Sequence, residues 1–383
     1  MRTAFLLVSL LLSIDPGAVA SRVQTGGGNC DRAQEQFKAA ETASAQNDWS
    51  TAAQRYEEAI QLAPGCVEAL VNLGVTYNRL DRPEDAIATF KQAVTKNPEL
   101  FAAHLNLGIT YFRTKRYELA KESLRNALRL NSQHTQARQL LALTLIAREE
   151  YKEAAGELEQ IVKLNPDDAD SRVALGEVYL RLKQYAAAVA SFQNAVQLAP
   201  KNARTHRLLG EALDNAGDSD KAIEAFRRAM QLDPSLKEAH YALGHVFLKR
   251  GNLDEALVEF QKELELNAGM TMARYQLGQI YYQRGKLDEA VTELSRVVAA
   301  DETFRPAIET LAQARFKQGA INEAIVLLER AVALDPTWPN AFALLGRAYN
   351  RAGRTEEAKK AFATAQRLSS EERKRLERAV SKP

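Results

Sequence analysis

A chain of 383 residues that is 46% hydrophobic but only 7% aromatic has ample apolar material for a core, most of it Ala and Leu. Its 51 Lys and Arg against 49 Asp and Glu leave a net charge of +2, which excludes the strongly basic footprint of a nucleic-acid binder. The prevalence of Ala, Leu, Glu, Arg and Gln is a helix-forming composition.

In chain order the first element is a targeting signal. Arg2 supplies a positive start, Ala4 to Ile14 (AFLLVSLLLSI) is an apolar run, and Ala18-Val19-Ala20 has the small-x-small spacing of a secretory cleavage site. The run stops at Asp15, short of the roughly 20 apolar residues a spanning helix needs. Residues 1–20 are therefore read as a cleaved signal peptide, with an uncleaved anchor as the alternative, and residues 21–32 as a linker that includes Gly26-Gly27-Gly28. No second apolar run follows, so no integral membrane segment is expected after cleavage, and the product is placed in the periplasm or outside the cell.

From residue 33 the chain repeats itself. Val71 to Arg79 reads VNLGVTYNR, and 34 residues later Leu105 to Arg113 reads LNLGITYFR. With Leu107-Gly108 at positions 7 and 8 of a 34-residue unit, the frame runs from 33 to 372 without insertion or deletion. The units are 33–66, 67–100, 101–134, 135–168, 169–202, 203–236, 237–270, 271–304, 305–338 and 339–372. Positions 4, 7, 8 and 11 share one face of a first helix, A, and positions 20, 24, 27 and 28 one face of a second, B. Position 8 is Gly or Ala and position 20 is Ala in all ten copies, so A and B are expected to approach closely there, with larger residues at 11 and 24 filling the space beside them. Pro64, Pro98, Pro166, Pro200, Pro234 and Pro336 stop helix B. Between A and B, repeats 3 to 5 carry a charged residue followed by Tyr117, Tyr151 or Tyr185. Repeats 6 to 10 carry Gly217, Gly251, Gly285, Gly319 or Gly353, so the array looks like two lineages. Beyond repeat 10, Ser369 with Glu372 three residues on has the form of a capping box, which predicts a separate, polar-backed capping helix within 370–383 whose apolar stripe is Leu376, Ala379 and Val380.

The pattern resembles the tetratricopeptide repeat family. Leu73, Gly74, Tyr77, Ala86, Phe90, Ala93 and Pro98 carry the resemblance, and Leu175, Gly176, Tyr179, Ala188, Phe192, Ala195 and Pro200 carry it again. It implies an all-α solenoid, a right-handed superhelix of ten helix-turn-helix units, whose helices A line a concave wall at positions 2, 5, 6, 9, 12 and 13. Carried over by position, that wall holds Val71, Asn72 and Val75 in repeat 2, and Leu105, Asn106, Ile109 and Phe112 in repeat 3. Leu140, Leu143 and Ile146 continue it in repeat 4. A solvent-facing apolar strip of this kind is a candidate partner-binding groove, unless a narrow superhelix buries part of its own inner wall. Tyr241, His245, Met272, Tyr275, Gln279 and Tyr282 form a second candidate in repeats 7 and 8. Position 5 is never Lys and position 9 never Asn, so the carboxylate clamp of chaperone-binding relatives is absent. The Asn ladder of glycosyltransferase relatives begins at Asn72 and Asn106 and stops.

No catalytic set stands out, and neither a cofactor nor a metal is expected. His104, His206 and His240 all fall at packing position 4, and His134 in an inter-repeat turn. Cys30 and Cys66 flank the helix pair of repeat 1 at the same edge, so an exported chain could bridge them, two free thiols being the alternative. Glu263, at a position where other repeats carry mostly small residues, could pair with Arg274 or reach solvent. From Arg347 onward eleven Lys and Arg face five Asp and Glu, a solvated end or a steering patch for an acidic partner. The expected function is a non-enzymatic scaffold binding proteins or peptide segments in its groove, in bacterial envelope assembly or secretion. The alternative is a regulatory or substrate-presenting subunit for glycan synthesis or glycosyl transfer, with catalysis on another chain.

Overall fold

The computed structural model describes residues 30–380. The signal segment 1–20, its cleavage site and Gly26–Gly28 lie outside the described residues. Among the described residues every regular element is helical: a short 3₁₀ turn, Asp31–Ala33, and then twenty α-helices. No described helix is long and apolar enough to cross a membrane.

The chain divides into two compact units, Met1–Asp218 and Ser219–Pro383. The N-terminal unit contains α1 (Gln34–Ala45), α2 (Trp49–Leu62), α3 (Val67–Arg79), α4 (Pro83–Lys96), α5 (Phe101–Arg113), α6 (Tyr117–Leu130), α7 (Thr135–Ala147), α8 (Tyr151–Leu164), α9 (Ala169–Arg181), α10 (Tyr185–Leu198) and α11 (Ala203–Asn215). The C-terminal unit contains α12 (Ser219–Leu232), α13 (Ala239–Lys249), α14 (Leu253–Leu266), α15 (Thr271–Gln283), α16 (Leu287–Ala300), α17 (Arg305–Gln318), α18 (Ile321–Leu334), α19 (Pro339–Arg351) and α20 (Thr355–Val380). Within each unit every helix packs on the one before and the one after it, the arrangement of an α-solenoid. Helices A also touch one another, α3 with α5, α5 with α7, α9 with α11, and in the other unit α15 with α17 and α17 with α19.

The close approach of A and B is settled by position 8 against position 24. A Cβ built on Gly74 would lie 2.5 Å from the Phe90 ring, and one on Gly176 2.7 Å from Phe192, so the ring of helix B occupies the space a side chain would need. The partner of the small residue at 8 is thus the large residue at 24, rather than the alanine at 20. The A–B turn places position 15 in the left-handed region in every repeat. In repeats 6 to 10 it is glycine, with φ of 73° to 90°; in repeats 1 to 5 it is Asn47, Asp81, Lys115, Glu149 or Lys183, with φ of 54° to 62°.

Three further regularities bind repeat to repeat. At position 4, His104 and His206 donate through Nε2 to the Pro98 and Pro200 carbonyls at 2.9 and 3.0 Å, while Arg138, Arg172 and Arg274 reach the carbonyls of Ser132, Pro166 and Ala268. The histidines are fasteners of the inter-repeat turn. At position 11, Tyr77, Tyr179 and Tyr349 donate to Glu57, Glu159 and Glu329 of the preceding repeat at 2.6 to 2.7 Å, and burial followed by that bond pushes these phenols up to about 12. At the start of helix A, His134, Asp168 and Asn202 each accept the backbone N–H three residues on, an N-cap.

Two sequence expectations are corrected. Ser369 caps no helix, because α20 runs unbroken through it. The preceding B helices end at Ala, Asn or Asp, several with proline next; at Ser369-Ser370 the chain has neither signal and continues into Glu, Arg and Lys, with Arg367–Glu371 and Arg373–Glu377 pairs on the helix surface. Glu263 neither pairs with Arg274 nor reaches solvent. It is 0% exposed, and its carboxylate oxygens accept the backbone N–H groups of Glu238 and Tyr241 at 2.9 and 3.2 Å. It thereby caps α13, which begins two residues later than its frame would allow, behind Glu238 at φ 68°. Arg274 pairs instead with Glu293 at 2.6 Å.

Candidate functional site

The two candidate walls differ in what they leave open. In the N-terminal unit Val71, Leu105, Leu140 and Leu143 are between 0 and 4% exposed, and Asn72, Asn106 and Ile146 are buried as well. Contact between successive helices A covers them, so the solvent-facing apolar strip expected there is core. Val75, Ile109 and Phe112 remain half-buried and make up what is left of that wall. The amide nitrogen of Asn72 has no hydrogen-bond partner among the described residues, and that of Asn106 bonds back to the Ala102 carbonyl, so neither forms part of an open ladder.

Farther along the same unit the wall turns charged. Glu177 at position 9 lies 3.4 Å from Arg204, and Arg207 lies 3.6 Å from Glu211. Burial pushes the Glu177 carboxyl up to about 7, and the pull of Arg204 and Arg207 does not reverse it.

In the C-terminal unit all six sequence-chosen residues reach the surface: His245 and Met272 are exposed, and Tyr241, Tyr275, Gln279 and Tyr282 half-buried. Tyr241 packs 5.7 Å from the Phe260 ring and 6.3 Å from His245; Tyr275 meets Phe304 edge-on at 5.0 Å and shares a hydrogen bond with Gln279. Tyr282 carries the Lys317 ammonium 4.1 Å over its ring and opens into a cavity of about 410 Å³. Glu309, Gln313, Phe316 and Lys317 of α17 line that cavity, with Asn340 and Arg347 of α19 and the indole of Trp338. Gln313 donates to the Glu309 carboxylate at 3.0 Å, and burial raises the Glu309 pKa against the pull of Arg305. These lining residues were missed, although all but Trp338 sit at positions 5, 9, 12 and 13 of repeat 9 and positions 2 and 9 of repeat 10. The rule that selected Tyr275, Gln279 and Tyr282 would have found those if it had been carried two repeats farther.

Cys30 and Cys66 are disulfide-bonded, with Cα atoms 4.9 Å apart, at the mouth of the first helix pair. Glu68 lies beside them, but with both sulfurs in the bridge the three residues make no metal site.

Residues 6–240 match the family model of the cilia and flagella-associated protein 70 C-terminal domain, residues 315–379 that of a tetratricopeptide repeat, and residues 215–297 that of anaphase-promoting complex, cyclosome, subunit 3. No curated protein sequence is a match. Among solved structures, YrrB, described as a TPR protein with an unusual peptide-binding site, is 21% identical, with 48% of this chain and 94% of that one covered and a TM-score of 0.44. MamA from Desulfovibrio magneticus RS-1 is 25% identical, with 44% and 96% covered and a TM-score of 0.40. The anaphase-promoting complex hetero-tetramer Cut9–Hcn1 is 13% identical, with 89% and 94% covered and a TM-score of 0.42. With one family match over more than half of its length and a helix pair in every 34 residues, the chain belongs to the tetratricopeptide repeat family.

Proposed function

We propose that this chain is a non-enzymatic interaction scaffold that binds peptide segments of partner proteins on the wall of helices A in its C-terminal unit. The observation that carries this reading is the cavity of about 410 Å³ between α15, α17 and α19. Gln313, Lys317 and Arg347 sit off the face that positions 7, 8 and 11 give to the core, while Phe316 and Tyr282 pack against the core with part of their rings and line the cavity as well. Aromatic rings beside amides and charges are the composition of a recognition surface. The signal-like start and the Cys30–Cys66 pair support an exported chain, in the periplasm or outside the cell, and so a role in bacterial envelope assembly or secretion.

Co-purification tests it. Partners recovered with the wild-type chain should be lost on Phe316→Ala combined with Tyr282→Ala, while the melting temperature stays within a few degrees. Retention of every partner by a folded double variant would remove the C-terminal wall as the binding site.

A further inference from the structure

Most arginines on the C-terminal unit are matched with carboxylates. Arg250 pairs with Asp220, Arg274 with Glu293, Arg284 with Asp254, Arg315 with Glu323, Arg330 with Glu302, and Arg305 with Asp335. The cavity departs from this pattern. Arg347 and Lys317 line it, both are exposed, and neither makes an ion pair among the described residues; the only partner seen for Lys317 is the Tyr282 ring. Two unmatched cations at one cavity form a local positive field in a chain whose total charge is nearly balanced. The lining carboxylate, Glu309, accepts a hydrogen bond from Gln313 of its own helix.

The rings are placed to accompany that field. Phe316 and Tyr282 line the cavity, and Phe316 carries the Arg351 guanidinium 5.0 Å from its centroid. Beyond the cavity the wall continues through Gln279, Tyr275 and Met272 on α15, so a bound chain has surface to follow past the cations rather than ending at them.

From this charge and shape we infer that the cavity receives an acidic side chain of an extended peptide segment, its carboxylate between Lys317 and Arg347 and its apolar neighbours on Phe316 and Tyr282. The inference rests on the peptide-binding reading above and specifies the partner: an internal segment in which Asp or Glu alternates with aromatic or branched apolar residues. A charge-assisted bond from a guanidinium to a carboxylate provides the selectivity, and the rings provide contact area that is indifferent to charge.

The test uses the full chain and three acetylated, amidated fluorescent peptides of one length, with identical apolar residues and Glu, Gln or Lys at the alternating polar places. Blocked ends leave side-chain carboxylates as the only anions. The Glu peptide should bind about ten-fold more tightly than the Gln peptide, and Arg347→Glu or Lys317→Glu should each weaken it about five- to ten-fold without moving the melting temperature. The Lys peptide should gain affinity in the doubly reversed variant. Equal affinity of the Glu and Gln peptides, both weakened by Phe316→Ala, would overturn the acidic assignment and leave peptide binding standing. If none of the three peptides bound, both readings would fall.

Discussion

Glu177 sits at position 9 of its repeat with a side chain 13% exposed, facing Arg204, whose side chain is 42% exposed. A partner that is itself solvated screens poorly for a buried group, and the carboxyl is pushed from 4.5 to about 7. The sign for stability follows. Between those two values the unfolded chain has lost this proton while the folded chain keeps it, so stability contributed by Glu177 is present below about pH 4.5 and declines as pH rises to about 7. The shift corresponds to at most about 3 kcal/mol. Glu177→Gln should therefore be more stable than wild type by about 1–3 kcal/mol at pH 8 and nearly equal to it at pH 4.5, as read by urea unfolding at both values. A constant difference between the two pH values would show that the carboxyl titrates normally. Glu263 presents the other use of an acidic side chain, since it replaces two missing hydrogen-bond acceptors at the start of α13. Glu263→Ala restores the small residue found in most repeats and still should cost about 1–3 kcal/mol, because two backbone donors lose their partner. Unfolding of equal or greater stability in that variant would mean that α13 simply extends to its regular start.

The element scale separates what is legible in sequence from what is not. The helix pair is legible because its packing demands recur: Gly176 must be small where the Phe192 ring arrives, and the same demand appears at Gly74 with Phe90 and Gly244 with Phe260. The left-handed turn was legible only where it is glycine. Asn47 and Lys183 adopt it too, because the turn's geometry is imposed by the two helices it joins and overrides the residue's own preference. Solvent exposure on the wall was not legible. Leu105 and Tyr275 both occupy position 5, yet Leu105 is fully buried and Tyr275 only half-buried, edge-on to Phe304. Nor does position 27 announce that Glu263 faces an unfinished helix end rather than solvent. The turn yields a direct measurement. Lys183→Gly removes the Cβ penalty at φ 57° and should stabilise the N-terminal unit by about 0.5–1 kcal/mol, whereas Gly285→Ala, at φ 73°, should destabilise the C-terminal unit by about 1 kcal/mol. Denaturation midpoints that move in the same direction for both would contradict the strain argument.

Among the described residues, the first and last repeats each have a neighbouring repeat on one side only, and the face left over has to be closed by other means. At the C-terminal end α20 does this by composition. Positions 21 and 28, held by Ile325 and Val332 in repeat 9, are Lys359 and Gln366 in repeat 10, so the outer face of the last helix B is polar; Phe362 remains 41% exposed where Phe260 is fully buried. At the N-terminal end the first helix pair has Ala39 and Ala40 at the Leu-Gly positions, Phe37 packs edge-on against Tyr56 at 5.6 Å, and the Cys30–Cys66 bridge ties its entry to its exit. Closing a loop across 36 residues removes about 3–4 kcal/mol of unfolded-chain entropy, a large fraction of what one terminal repeat contributes. Because stability in such an array is a sum of local and nearest-neighbour terms, the effect should stay local. Cys30→Ser with Cys66→Ser should raise hydrogen exchange about 100-fold or more in α1 and α2, modestly in α3, and not measurably in α13 to α20. Uniform loss of protection through both units would show that the ends are coupled and that the bridge stabilises the array as a single cooperative block.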